Sequence, residues 1–133
     1  MQTRSITDFH EPVLLLDPQM DSAVELAAHL ELIGFPTCIE SSAAGALAAL
    51  ERTHFATLIL VADIGDPERL GWLDALRRRA ARSWIIVVSP HCDTKACNLI
   101  YRHGGDACLT APLSLHELTS RLAAFQLRPR PAY

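Results

Sequence analysis

The sequence predicts an α/β domain built on one doubly wound parallel sheet. Three observations predict it. Short apolar runs alternate with longer stretches that repeat hydrophobic residues at helical spacing. Runs such as Val13-Leu14-Leu15-Leu16 are continuously apolar, as strands are when both faces of a sheet are covered. Helix-start signals, Asp66-Pro67-Glu68 and Ser114-Leu115-His116-Glu117, fall between them.

Taken in order, Val13 to Leu16 is the first strand and ends on Asp17. Asp21 to Ile33 follows as a helix with Val24, Ala27, Ala28, Leu30 and Ile33 as its inward stripe, closed by Gly34 where a left-handed cap is wanted. Pro36 to Glu40 is less apolar and suits an edge strand, and Ala43 to Arg52 is a second helix with Ala46, Leu47 and Leu50 inward. Thr57 to Ala62 is the most hydrophobic stretch and reads as the central strand. Asp66 caps the next helix, with proline at its first position and Glu68 near the positive dipole end. That helix carries Leu70, Leu73 and Leu76 and runs out in Arg77, Arg78, Arg79 and Arg82, expected as a solvated face.

Ile85 to Val88 is a fourth strand, rich in β-branched residues. Asp93 or Thr94 opens a fourth helix that ends at Gly104-Gly105, and Ala107 to Thr110 is a fifth strand. Ser114 to Glu117 is a capping box opening a last helix with Leu118, Leu122 and Phe125. Residues 1–10 are expected as an N-terminal tail, 11–127 as the domain and 128–133 as a tail or the start of a linker.

At 133 residues the chain is long enough for a single core without staples. Half the residues are apolar, yet no run approaches bilayer length, and Met1 to His10 holds no apolar block of a secretory signal. A net charge of −3 gives no attraction to nucleic acid or to an acidic membrane. Cys38, Cys92, Cys97 and Cys108 lack paired-ligand spacing and are expected as buried free thiols in a reducing cytoplasm. No glycine-rich phosphate loop occurs, so no nucleotide cofactor is expected.

Residues 12 to 125 resemble the receiver domain of two-component response regulators. The likeness rests on Leu14-Leu15-Leu16-Asp17-Pro18, Gly34-Phe35, Ala46-Leu47-x-x-Leu50, Ile85 to Ser89, Gly104-Gly105-Asp106 and Leu109-Thr110-Ala111-Pro112-Leu113, in that order and spacing. It implies a flavodoxin-like (βα)₅ fold with strand order 2-1-3-4-5 and helices on both faces. It also implies a non-enzymatic module of phosphorelay signalling that meets a histidine kinase, an output protein or a second copy of itself. Competent members of the family place two acids after the first strand, a phosphoryl-accepting aspartate at the end of the third, a hydroxyl ending the fourth and a lysine before a proline after the fifth. The acids hold Mg²⁺, and the lysine and hydroxyl hold the phosphoryl oxygens.

Carried over residue by residue, Asp17 keeps the first acid and Ser89 the hydroxyl, but Pro18, Val61 and Ala111 stand where the second acid, the acceptor and the lysine belong. This pattern implies a degenerate pseudo-receiver with neither phosphorylation nor a metal cofactor. Asp63, two residues beyond Val61, is the alternative acceptor, with Asp17, Asp63 and Asp66 then holding Mg²⁺. A third reading makes the emptied pocket a small-molecule sensor site. Cys108 replaces the aromatic residue that often responds to phosphorylation in the family, and the interaction face expected from the fourth helix, fifth strand and last helix carries Arg102, Cys108 and Arg121. His91, Cys92, Cys97, His103 and Cys108 lack zinc-site spacing. Trp72 and Trp84 suit either a partner surface or burial at the flank of the sheet.

Overall fold

The computed structural model describes residues 11–126 and 129–131. Among them, five parallel strands alternate with five helices: β1 (Val13–Leu16), α1 (Met20–Leu32), β2 (Thr37–Glu40), α2 (Ala43–Arg52), β3 (Thr57–Val61), α3 (Pro67–Arg79), β4 (Trp84–Ser89), α4 (Thr94–Arg102), β5 (Ala107–Thr110) and α5 (Leu115–Gln126). The sheet order is β2-β1-β3-β4-β5, the expected doubly wound arrangement. Val13 aligns with Thr37 on one side and Thr57 on the other, and Thr57 with Trp84.

Alternation along the strands splits the core in two. Leu14, Leu16, Leu58, Leu60, Ile85 and Val87 face α2, α3 and α4, meeting Ala46, Ala49, Leu73, Leu76 and Ile100. Val13, Leu15, Ile59, Ile86 and Val88 face α1 and α5, meeting Ala23, Leu30, Leu118 and Leu122. Leu58 to Val61 of the central strand are therefore all apolar, because each face has a helix to cover it.

The helix signals act locally as expected. The Asp66 carboxylate accepts from the Glu68 backbone N–H at 3.0 Å ahead of Pro67. Asp93 caps α4 by accepting from the Ala96 N–H at 2.8 Å, and Ser114 Oγ accepts from the Glu117 N–H at 3.3 Å. Gly34 takes a positive φ of 96° after α1, the left-handed conformation that glycine adopts without Cβ strain.

Three expectations are corrected. In α1 the buried residues are Ala23, Ala27 and Leu30, whereas Val24 is 54% and Ile33 45% exposed. Ala23, Ala27 and Leu30 stand at i, i+4 and i+7 on one face, the two alanines let α1 approach the sheet, and Val24, one step of the helix away, turns outward.

Arg77 is not part of a solvated face. Its side chain is half-buried and its guanidinium donates to the Gly104, Ala80 and Ser83 carbonyls at 2.8 Å each and to Asp106. The end of α3 runs under the connection into β5, so this arginine points into a ring of carbonyls while Arg78, Arg79 and Arg82 stay exposed.

The cysteines are not all free thiols. Cys92, in the loop after β4, forms a disulfide with Cys108 of β5, leaving Cys38 and Cys97 free. Pairing in the sheet sets Val87 of β4 against Cys108, which brings the two sulfurs together from 16 residues apart. Cys108, expected on the interaction face, is instead partly buried against the core that includes Val87 and Ile100, with its sulfur bonded.

The expected tail over 1–10 lies outside the described residues, as do 127, 128, 132 and 133. Arg130 lies within them and is docked: its N–H donates to the Arg82 carbonyl at 3.1 Å and its Nε to Asp106 Oδ1 at 2.7 Å.

Candidate functional site at the carboxyl ends of the strands

The carboxyl ends of β1, β3, β4 and β5 open on one side of the sheet, where parallel α/β domains gather ligands. Asp17 follows β1 directly and is 2% exposed. Its backbone N–H donates to the Glu40 carbonyl at 3.0 Å, and its Oδ1 accepts from the Gln19 N–H at 2.8 Å. Burial pushes its carboxyl above the ordinary aspartate value, and the Gln19 N–H offsets part of that rise.

Val61 ends β3, and Ala111 follows β5 with its N–H donating to the Ser89 carbonyl at 2.9 Å. Asp17, Val61 and Ala111 line one cavity of about 480 Å³. Its remaining wall comes from Val88 of β4, from Ser22, Glu25, Leu26 and His29 of α1, and from Pro112, Leu113 and Leu115 beyond β5. The sequence reading did not place the α1 residues there. Their signal was available only as the outward step of α1 past Ala23 and Ala27, which required knowing which face the helix buries.

Ser89 ends β4, fully buried, and its Oγ accepts from the Ile64 N–H at 3.4 Å. The hydroxyl thus ties β4 to the loop after β3. Pro18 is exposed and outside the cavity lining. Asp63 is also exposed and outside the lining: its Oδ1 accepts from the Gly65 N–H at 3.0 Å and its carbonyl from the Asp66 N–H at 3.1 Å.

Asp17, Asp63 and Asp66 each spend a carboxylate oxygen on a neighbouring backbone N–H. Among the described residues, no three His, Cys, Asp or Glu side chains converge as a metal set. A hard Mg²⁺ ion takes oxygen ligands in octahedral geometry, usually one or two carboxylates completed by water, and of these three acids Asp17 alone lines the cavity. Of the residues weighed for zinc, Cys92 and Cys108 are consumed by their disulfide and His103 Nδ1 lies 2.8 Å from Asp74 Oδ1.

Elsewhere, Trp84 stacks on Phe125 at 4.3 Å, pinning α5 to the start of β4, and Trp72 lies under the Arg69 guanidinium at 3.9 Å. On the face formed by α4, β5 and α5, Arg102 and Arg121 are exposed.

No family model matches the sequence, and no curated protein matches it. Solved structures of similar shape are response-regulator receiver domains. The receiver domain of a Francisella response regulator superposes with a TM-score of 0.79 at 21% identity, covering 89% of this chain and 98% of that one. A response regulator from Thermotoga maritima gives 0.78 at 17%, covering 90% and 100%. A CheY-like receiver domain protein from Methanospirillum hungatei gives 0.75 at 18%, covering 89% and 98%. The chain has the receiver-domain fold. No described helix is long and apolar enough to cross a membrane.

Proposed function

We propose that this chain is a receiver-like signalling module of the two-component type that works by protein–protein contact and accepts no phosphoryl group. One observation carries the reading: Asp17 shares its cavity with Val61 and Ala111, where phosphoryl transfer asks for a second acid, an aspartate nucleophile and a lysine. A lone buried carboxylate supplies no nucleophile at the acceptor position, no cation for the phosphoryl oxygens and few oxygens for a metal. The partner is a histidine kinase, an output protein or a second copy of the chain, met on the face of α4, β5 and α5 where Arg102 and Arg121 are exposed.

Intact-mass measurement after incubation with acetyl phosphate and Mg²⁺ tests the reading. The expected result is an unchanged mass. A gain of one phosphoryl group, lost in Asp63→Asn, supports the competent alternative with Asp63 as acceptor.

The cavity favours a second reading. Its volume of about 480 Å³ falls in the range of small-ligand pockets, with Val61, Leu26 and Leu113 as apolar wall and Asp17, Glu25 and His29 as polar contacts. An organic ligand there would press on α1 and on the segment after β5 together. Native mass spectrometry of the purified protein tests it: a bound organic mass that disappears in Ala111→Phe supports the reading.

A further inference from the structure

Of the five helices, α4 has the smallest hold on the sheet. It spans nine residues and has one fully buried side chain, Ile100, whereas each of the other helices buries two or three. Its other inward residues, Ala96 and Leu99, are partly exposed. The covalent hold comes just upstream, where Cys92, one residue before the Asp93 cap, is bonded to Cys108 of β5. The disulfide therefore closes the whole β4–α4–β5 crossover at the end nearest the cavity. Both cysteines are partly exposed as residues. A third sulfur belongs to the same corner: the Cys97 thiol donates to the Cys92 carbonyl at 3.4 Å.

We propose that Cys92 and Cys108 form a reversible thiol–disulfide modification site that sets how firmly α4 is held against the sheet. The co-reactant is a thiol reductant such as a dithiol or glutathione. A reductant thiolate attacks one sulfur of the pair, the other leaves as thiolate, and a mixed disulfide forms. A second reductant thiol attacks the mixed disulfide and departs as the oxidised reductant. Two electrons and two protons have then moved to the protein, which holds two thiols. Oxidised, the loop is clamped and α4 is seated by both Ile100 and the disulfide. Reduced, the loop is released and α4 is left to Ile100, to Ala96 at the edge of the core and to the His103–Asp74 contact at its end, so α4 opens locally while the rest of the sheet stays folded. The effect on a partner at that face rests on the function proposed above. The site itself does not, and its test uses no partner.

The full chain is equilibrated in glutathione buffers from fully reduced to fully oxidised, thiols are trapped with N-ethylmaleimide, and intact mass and hydrogen exchange are read on the same samples. Expected are a reversible two-thiol transition mapped to Cys92 and Cys108, and exchange of residues 90–102 roughly ten-fold faster when reduced. Protection of β1 and β3 should be the same in both states. Cys92→Ser and Cys108→Ser should show the fast pattern in every buffer, and Cys97→Ser should still switch. A pair oxidised in every buffer is a permanent staple and overturns the proposal. So does a pair never oxidised, a reduced state with unchanged exchange in 90–102, or a reduced state that loses protection throughout the sheet.

Discussion

Arg77 and Asp106, 29 residues apart, form an ion pair at 2.8 Å that fastens the end of α3 to the start of β4 and β5. The same carboxylate oxygen accepts from the Ile85 N–H at 2.9 Å, and the other oxygen takes Arg130 at 2.7 Å. Asp106 thus completes the lower end of the sheet, opposite the cavity, and both its carboxylate oxygens are used.

Removing that carboxylate strands a half-buried guanidinium. Asp106→Ala is expected to lower unfolding free energy by about 3 kcal/mol, toward the low end for a broken buried pair because Arg77 keeps its carbonyl partners. Asp106→Asn retains an acceptor for the Ile85 N–H and should lose about half as much. Urea denaturation of the two variants decides this, and equal losses would mean that the charge contributes nothing.

Asp17 makes stability pH-dependent in a stated direction. Its folded carboxyl is raised by burial, so the folded state holds the proton more tightly than the unfolded chain. Well below the ordinary aspartate value both states are protonated and the group costs nothing. As pH rises through that value toward the raised one, the unfolded chain ionises first and stability falls. Above the folded value the whole cost of burying the charge is carried. Asp17→Asn should therefore match the parent at about pH 3 and exceed its melting midpoint by a few degrees at neutral pH. A variant less stable at neutral pH would mean that Asp17 is held by a favourable charge interaction instead.

Thr57 offers a stabilising change. It is fully buried at the start of β3, and its Oγ1 has no hydrogen-bond partner among the described residues. Thr57→Val keeps the shape and removes a desolvated hydroxyl, for an expected gain of about 1 kcal/mol. Thermal unfolding by circular dichroism reads it directly, and a loss would reveal a partner for the hydroxyl.

Gly105 is required by close approach. A Cβ there would sit well inside van der Waals contact of Ile100 Cγ2 and 3.2 Å from the Ile100 carbonyl oxygen. Gly105→Ala should cost about 2 kcal/mol by overpacking. Combining it with Ile100→Ala should cost less than the sum of the two single changes, because removing Cγ2 makes room. Strict additivity in a double-mutant cycle would place the strain elsewhere.

What the sequence determined by itself is everything that depends on near neighbours. Continuous apolar runs fixed the strands, Asp66, Asp93 and Ser114 fixed the helix starts, and Gly34 marked the end of α1, because capping and periodicity act over one or two turns of chain. The strand ends at Asp17, Val61, Ser89 and Ala111 were legible for the same reason, since each closes a readable run. The tertiary structure alone decided what crosses between elements. It turned Ala23 inward in place of Val24, drew Arg77 from an expected solvated face into a ring of carbonyls, paired Cys92 with Cys108, and walled the cavity with Glu25 and His29. A helix's inward face, an arginine's partner and the meeting of two sulfurs are set by how far one crossover carries the chain over its neighbour. That distance is a property of packing against the whole sheet, and no local stretch of residues encodes it.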